Sequence, residues 1–298
     1  MPTKQMRGMY PILITPFDEK WRVDEESLRS LIEFNVKAGV HGIGVALGSE
    51  VFKLSEAERE QVTRVVVDQV RGRVPVVINT GAAGTDLAVL YSQKAQELGA
   101  DALMVMPPTF NPASPAETRE YFKAISDAVS IPIFLQDTSQ AHIPGALAKQ
   151  IAQESSNVRY IKVESLPTPA KVADAVAVAG DTLTVFGGAG GSYFIEEMRR
   201  GSVGTMPFCS QPEAFVKVWD LFWAGDEAGA RAVFDKYIQP INRISAQQTG
   251  GYYHVHKELL RQRGVIRTAI VRRPAGPDLD EMTKRELQAA IDELYGGK

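Results

Sequence analysis

In the segment Val158-Arg159-Tyr160-Ile161-Lys162-Val163-Glu164-Ser165, a lysine stands where a buried strand would carry an apolar side chain. The β-branched and aromatic residues read as a short strand. Two-residue alternation then puts Tyr160, Lys162 and Glu164 on one face and Ile161 and Val163 on the other. An ammonium held among apolar walls loses hydration, which favours the neutral amine, and a neutral amine attacks ketones. The competing reading is a lysine at a strand end that snorkels to water.

The other elements supply a frame for that lysine. Apolar runs at 9–17, 41–47, 74–80, 102–106, 131–137, 158–165, 183–187 and 204–208 read as strands, each followed by a helical pattern. Asp24 caps a helix whose apolar stripe is Leu28, Leu31, Ile32 and Val36. Ser55 and Glu58 form a capping box, and Pro144 suits a first helical turn. Eight strand–helix pairs specify a (β/α)8 TIM barrel over 1–225. Residues 226–298 form a C-terminal helical extension packed on the barrel, with helices at 226–244, 252–263 and 283–295. An open doubly wound sheet is the competitor. The turn Thr15-Pro16-Phe17-Asp18 after the first strand lacks the glycines such a sheet needs to bind a dinucleotide.

The chain has 298 residues, of which 44% are hydrophobic and 23% charged, the balance of a folded globular protein. A net charge of −3 without a basic cluster argues against nucleic-acid and polybasic membrane surfaces. No apolar run approaches the roughly eighteen residues of a membrane span. The lone Cys209 has no internal disulfide partner, and residues 1–17 lack a signal peptide's apolar run and cleavage site. A cytoplasmic protein acting on small molecules fits these bounds.

Barrel enzymes carry their reacting groups at the carboxyl ends of the strands. Those ends read Thr15, Gly48-Ser49-Glu50, Asn79-Thr80, Pro108-Thr109, Gln136-Asp137, Lys162 with Glu164, Gly187-Gly188 and Thr205. Small, hydroxyl and amide groups thus ring one lysine, without the histidine, cysteine or paired-carboxylate set of a transition-metal site. The set suits capture of a 2-oxo acid. The amine attacks the keto carbon, and the protonated imine draws electrons so that a proton on the adjacent carbon leaves and an enamine forms. That imine is the electron sink, so no cofactor is required. Backbone N–H groups and a hydroxyl at Gly48 and Ser49 would hold the substrate carboxylate. Gln136 would orient a water or substrate hydroxyl, or else satisfy neighbouring backbone groups. The glycines at 187–191 would leave room for substrate and a tight turn.

Several of these stretches resemble one family along nearly the whole chain, that of dihydrodipicolinate synthase and N-acetylneuraminate lyase, the Schiff-base class I aldolases and dehydratases. Residues 11–17 resemble its first strand, and Ile161-Lys162-Val163-Glu164-Ser165 resembles the segment around its imine-forming lysine. Leu54-Ser55-Glu56-Ala57-Glu58, Gly201-Ser202-Val203-Gly204, Lys257 and Arg273-Pro274 add to the likeness. The resemblance implies that Lys162 is the imine lysine, that Gly187 and Met206 lie beside the substrate, that Glu50 is a structural acceptor, and that the protein is a homotetramer built from dimers.

The departures are informative. Ala46-Leu47-Gly48-Ser49-Glu50 replaces the synthases' Gly-Thr-Thr-Gly-Glu, and Gln136-Asp137 replaces a tyrosine and asparagine on the fifth strand. Thr109 stands for a tyrosine that relatives lend across the dimer, and Ala141 for a carboxylate-binding arginine. The phenol relay of the synthases is missing. The Gln-Asp and Ser-Glu pairs and the stretch 241–251 are more similar to the branch that dehydrates 2-keto-3-deoxy sugar acids, L-2-keto-3-deoxyarabonate in particular. The implied activity is dehydration of such an acid through a Lys162 imine. A pyruvate-dependent aldolase, dihydrodipicolinate synthase included, and a non-catalytic metabolite-binding barrel are the alternatives.

Overall fold

Strands and helices alternate through the computed structural model, which describes residues 5–296; the first four, part of the leader reading, lie outside the described residues. The order is β1 (Gly8–Met9), α1 (Glu25–Lys37), β2 (Ile43–Val45), α2 (Glu56–Val70), β3 (Val76–Asn79), α3 (Thr85–Glu97), β4 (Ala102–Val105) and α4 (Pro115–Ala128). It continues with β5 (Ile133–Asp137), α5 (Gly145–Glu154), β6 (Val158–Val163), α6 (Thr168–Ala179), β7 (Thr184–Gly187), α7 (Phe194–Met198), β8 (Gly204–Thr205) and α8 (Pro212–Trp223). The tail carries α9 (Glu227–Val233), α10 (Gln239–Ser245), α11 (Gly251–Gln262) and α12 (Glu281–Tyr295).

The helix starts follow local chemistry. Asp24 accepts the Ser27 N–H at the head of α1, and Ser55 with Glu58 completes both halves of a capping box at α2. Ser114 and Glu117 do the same at α4.

Contacts gather the chain into two compact units. The first, residues up to 10 with 41–46 and 74–207, holds all eight strands and α3 to α7. Its strands are parallel in the order β1-β8-β7-β6-β5-β4-β3-β2. The His41 and Gly42 N–H groups both reach the Met9 carbonyl, which joins the β2 end of the ladder back to β1. The eight parallel strands, alternating along the chain with α1 to α8, are those of a (β/α)8 barrel. Its inner face is aromatic low down: Phe134 stacks on Tyr160 at 4.3 Å, and Phe186 meets Phe134 and Tyr10 edge-on at 5.4 and 5.5 Å.

The second unit, residues 11–40, 47–73 and 208 onward, holds α1, α2, α8 and the tail helices. Ile241, Ile244, Val255, Leu259, Leu279, Leu287 and Ile291 form a buried core within it.

Two expectations change. The strand expected at 9–17 is regular only over Gly8–Met9, because Pro11 and Pro16 donate no hydrogen bond and the Ile14 N–H goes to Cys209 Sγ. The single helix expected at 226–244 runs through a π turn, Phe234–Ile238. It lies just before Pro240, whose ring would otherwise strike a carbonyl of the preceding turn. None of the described helices is long and apolar enough to cross a membrane.

Candidate active site

Lys162 sits on β6, in register with Gln136 of β5 and Phe186 of β7, so three neighbouring strands present these side chains to one face. The lysine side chain is 3% exposed, and its Nζ lies 2.9 Å from Glu164 Oε1. Glu164 is the hub. Its Oε2 accepts from Gln136 Nε2 at 2.8 Å and its Oε1 from the Ala189 N–H at 3.2 Å. Behind them, Asn79 Nδ2 reaches Gln136 Oε1 at 3.5 Å, the outer limit of a hydrogen bond.

The expected apolar walls are therefore only half the setting: Phe134 and Tyr160 lie two residues down β5 and β6, Phe186 pairs with the lysine from β7, and a carboxylate stands at the amine. The glycine that makes room beside the lysine is Gly188, where an added Cβ would fall 2.4 Å from Glu164 Cγ and 3.0 Å from Lys162 Cε.

Gly187 points the other way. A Cβ there would lie 1.8 Å from an oxygen of Glu197, a wholly buried carboxyl on α7. Thr168 Oγ1 donates to Glu197 Oε1, while Oε2 has no partner. Burial, with Glu196 and Glu164 nearby, pushes this carboxyl up to about 7, against the hydrogen bond from Thr168. The Gly187 backbone is engaged on both sides, its N–H donating to Ser202 Oγ at 3.1 Å and its carbonyl accepting from Met206 N at 3.2 Å. Alternation from Thr205, which pairs with Gly187, turns the buried Met206 to the face shared with Lys162.

Asp137, next to Gln136, joins two loops. Its Oδ1 accepts the Ile143 N–H and faces His142 Nδ1 at 2.7 Å, while Oδ2 accepts from the Ser165 N–H and hydroxyl. A serine nucleophile would need the far ring nitrogen of its histidine. Here Ser165 Oγ meets the same Nδ1 as the aspartate, at 3.1 Å, and Nε2 receives the Lys171 ammonium at 3.2 Å. The cluster is a clasp, not a nucleophilic triad.

Thr109 is exposed, on the segment between β4 and α4. Residues flanking it line a cavity of about 490 Å³ together with Gln140, Ala141 and His142. Gly48 and Ser49 belong to the second unit, in a short 3-10 turn, Leu47–Ser49. Ser49 Oγ donates to the Leu13 carbonyl, and the Ser49 carbonyl accepts from Thr15 Oγ1 at 2.6 Å. Glu50, at a left-handed φ of 58°, is held by Lys257 on one oxygen and by Lys53 and the Arg272 N–H on the other. That is the geometry of a structural acceptor.

The model of the dihydrodipicolinate synthetase family matches residues 5–294. The chain belongs to this family. It is a lyase of that family, acting on a small molecule. Over 98% of its length it is 29% identical to the L-2-keto-3-deoxyarabonate dehydratase of Azospirillum brasilense, covering 96% of that protein. It is 30% identical, again over 98%, to the 4-hydroxy-tetrahydrodipicolinate synthase of Desulfotalea psychrophila, covering 97% of it. Among solved structures, YagE of Escherichia coli K12, a prophage protein of the dihydrodipicolinic acid synthase family in complex with pyruvate, superposes with a TM-score of 0.90. The two are 26% identical, over 98% of this chain and 99% of that one.

Within this family frame, the sequence reading named Lys162 and Gln136, which the structure joins through Glu164. Alternation had already put Glu164 on the lysine's face, but nothing local revealed that an amide two strand positions away would bind it. Gly188 lay within the glycine run expected to leave room for substrate; the Ala189 N–H and Glu197 were missed.

Proposed function

We propose that the protein dehydrates a 2-keto-3-deoxy sugar acid through an imine at Lys162. The single observation that carries this reading is the chain Lys162–Glu164–Gln136, an amine, a carboxylate and an amide in hydrogen-bond contact. The amine attacks the C2 carbonyl of the substrate, and the carbinolamine loses its hydroxyl as water to give the protonated imine. Glu164, in contact with Nζ, takes the ammonium proton beforehand, gives it to the departing carbinolamine hydroxyl and, a carboxylate again, removes a proton from C3, giving the enamine. Electrons returning from the enamine expel the C4 hydroxyl, which leaves as water with a proton from the Glu164 carboxylic acid. Gln136 holds Glu164 through Nε2 and orients that hydroxyl. Hydrolysis of the conjugated imine frees the amine, so the net change is loss of one water.

Two further features support dehydration over carbon–carbon cleavage. Gln136 and Thr109 stand where relatives carry tyrosines, so the phenol that would deprotonate a C4 hydroxyl is lacking at both positions. The Azospirillum relative is a dehydratase by name. Cleavage to pyruvate is the second reading, favoured by the Desulfotalea synthase and the pyruvate complex of YagE. Borohydride reduction in the presence of pyruvate should leave a mass gain on the peptide carrying Lys162. Product analysis over a panel of 3-deoxy-2-oxo acids should give a dehydrated semialdehyde. An adduct with pyruvate and an aldehyde as products would replace dehydration by aldol cleavage, and no adduct at all would sink both readings.

A further inference from the structure

We propose that Glu197 is a positioning residue for the Lys162–Glu164 pair, its carboxyl taking the place of the side chain that Gly187 lacks and so bracing the strand end from which the Ala189 N–H reaches Glu164. The inference rests on the reading of Lys162 as the imine lysine.

Glu197 has no exposure to solvent, and its Oε2 is unpartnered among the described residues. A buried carboxylate without a cation is costly, so the group is stable there as the neutral acid. Gly187 leaves room for that oxygen, since any side chain there would overlap it. Thr205, paired with Gly187, also has a hydroxyl oxygen without a partner among the described residues. Two residues further along the chain from Gly187, the Ala189 N–H fixes the oxygen of Glu164 that touches Lys162.

The titratable groups that bear on Glu197 are Glu164, beyond β6, and Glu196 of its own helix, both acidic. From α6 it meets Thr168 and from β7 Gly187, neither of which titrates. Ionisation of Glu197 would therefore add a second negative charge near Glu164 with no cation to absorb it. The brace would loosen, and the added negative charge would make Glu164 a poorer proton donor to the departing C4 hydroxyl. Catalysis gains a limb that falls as pH rises through about 7, where burial has moved this carboxyl.

Glu197→Gln keeps the shape and cannot ionise. Trapping of the pyruvate imine and turnover of a 3-deoxy-2-oxo acid are followed from pH 5.5 to 9 in both proteins. The ratio of variant to wild-type kcat should climb from about one at pH 6 to at least about threefold at pH 9, with KM little changed. Parallel profiles would overturn the proposal. Should Glu197→Gln fail to fold, Thr168→Val removes the hydrogen bond that favours the ionised form. The falling limb should then move to higher pH, and a limb that stays in place overturns the proposal as surely. Failure of the underlying reading looks different: the wild type itself would form no adduct at Lys162. An adduct with coincident profiles sinks only the role of Glu197.

Discussion

Each of the two units buries a lysine against a glutamate, and the two pairs are finished differently. In the second unit Lys257 and Glu50 are both fully buried. Lys257 also donates to the Ile270 carbonyl at 2.7 Å and lies 4.5 Å over the Phe17 ring, while Glu50 takes Lys53 and the Arg272 N–H on its other oxygen. Burial pulls this ammonium down to about 8, against the attraction of Glu50. In the first unit Lys162 has Glu164 as its one partner among the described residues, leaving two of three ammonium hydrogens uncommitted, and Glu164 keeps 18% of its side chain open. A lysine whose donors are all spoken for is a strut. One with spare capacity, beside a carboxylate with access to ligand, is equipped for reaction.

Exchanging the lysines tests that contrast most severely. Lys162→Arg keeps the charge but removes the nucleophile, so turnover should drop by at least about 10³-fold and the borohydride adduct should vanish, with the melting temperature nearly unchanged. Turnover at the wild-type rate would erase the distinction. Lys257→Met should do the reverse: it strands the buried Glu50 charge and lowers stability by about 3–5 kcal/mol, read by denaturant unfolding, while the protein that stays folded still forms the adduct. Glu164→Gln sharpens the first half. It preserves shape and contact with Lys162 but cannot carry a proton, and kcat should fall about 100-fold without a comparable loss of stability.

The smallest effect lies beside Lys257. His256 is buried against Phe208, with ring centroids 4.2 Å apart, and among the described residues its ring bonds only to Ser210. Burial lowers its pKa to about 3. The unfolded chain binds this proton below about 6.5 and the native state does not, so stability is lost as pH falls through that window. By pH 5 the loss is about 2 kcal/mol, and His256→Phe should remove it, flattening the stability curve between pH 7 and 5. An unchanged slope would show that the histidine is charged in place.

The contrast between the two lysines was partly legible before any coordinates. Alternation placed Lys162 and Glu164 on one face, and the spacing of apolar runs announced eight strand–helix pairs. What stayed hidden depends on contacts distant in sequence. Lys257, on an amphipathic helix, looks like any surface lysine until Glu50, more than two hundred residues earlier, is brought to it. Glu197 follows Glu196 in a short helix and reads as half of a solvated pair; only the missing side chain of Gly187 reveals it as interior. The overlong first strand failed for a local reason, since prolines at 11 and 16 fit an apolar run but not a ladder. Pro240 was visible too, yet a wider turn, not a break, absorbed it.

The rings of Phe134, Tyr160, Phe186 and Tyr10 stop up the interior beneath the amine. On the proposed reading the Lys162 amine stands above this floor, and substrate would reach it from the side of the strands' carboxyl ends. If Lys162 forms the proposed imine, the water shed on condensation, the one expelled from the substrate and the one that finally frees the product would share that route, so arrival and departure would take turns.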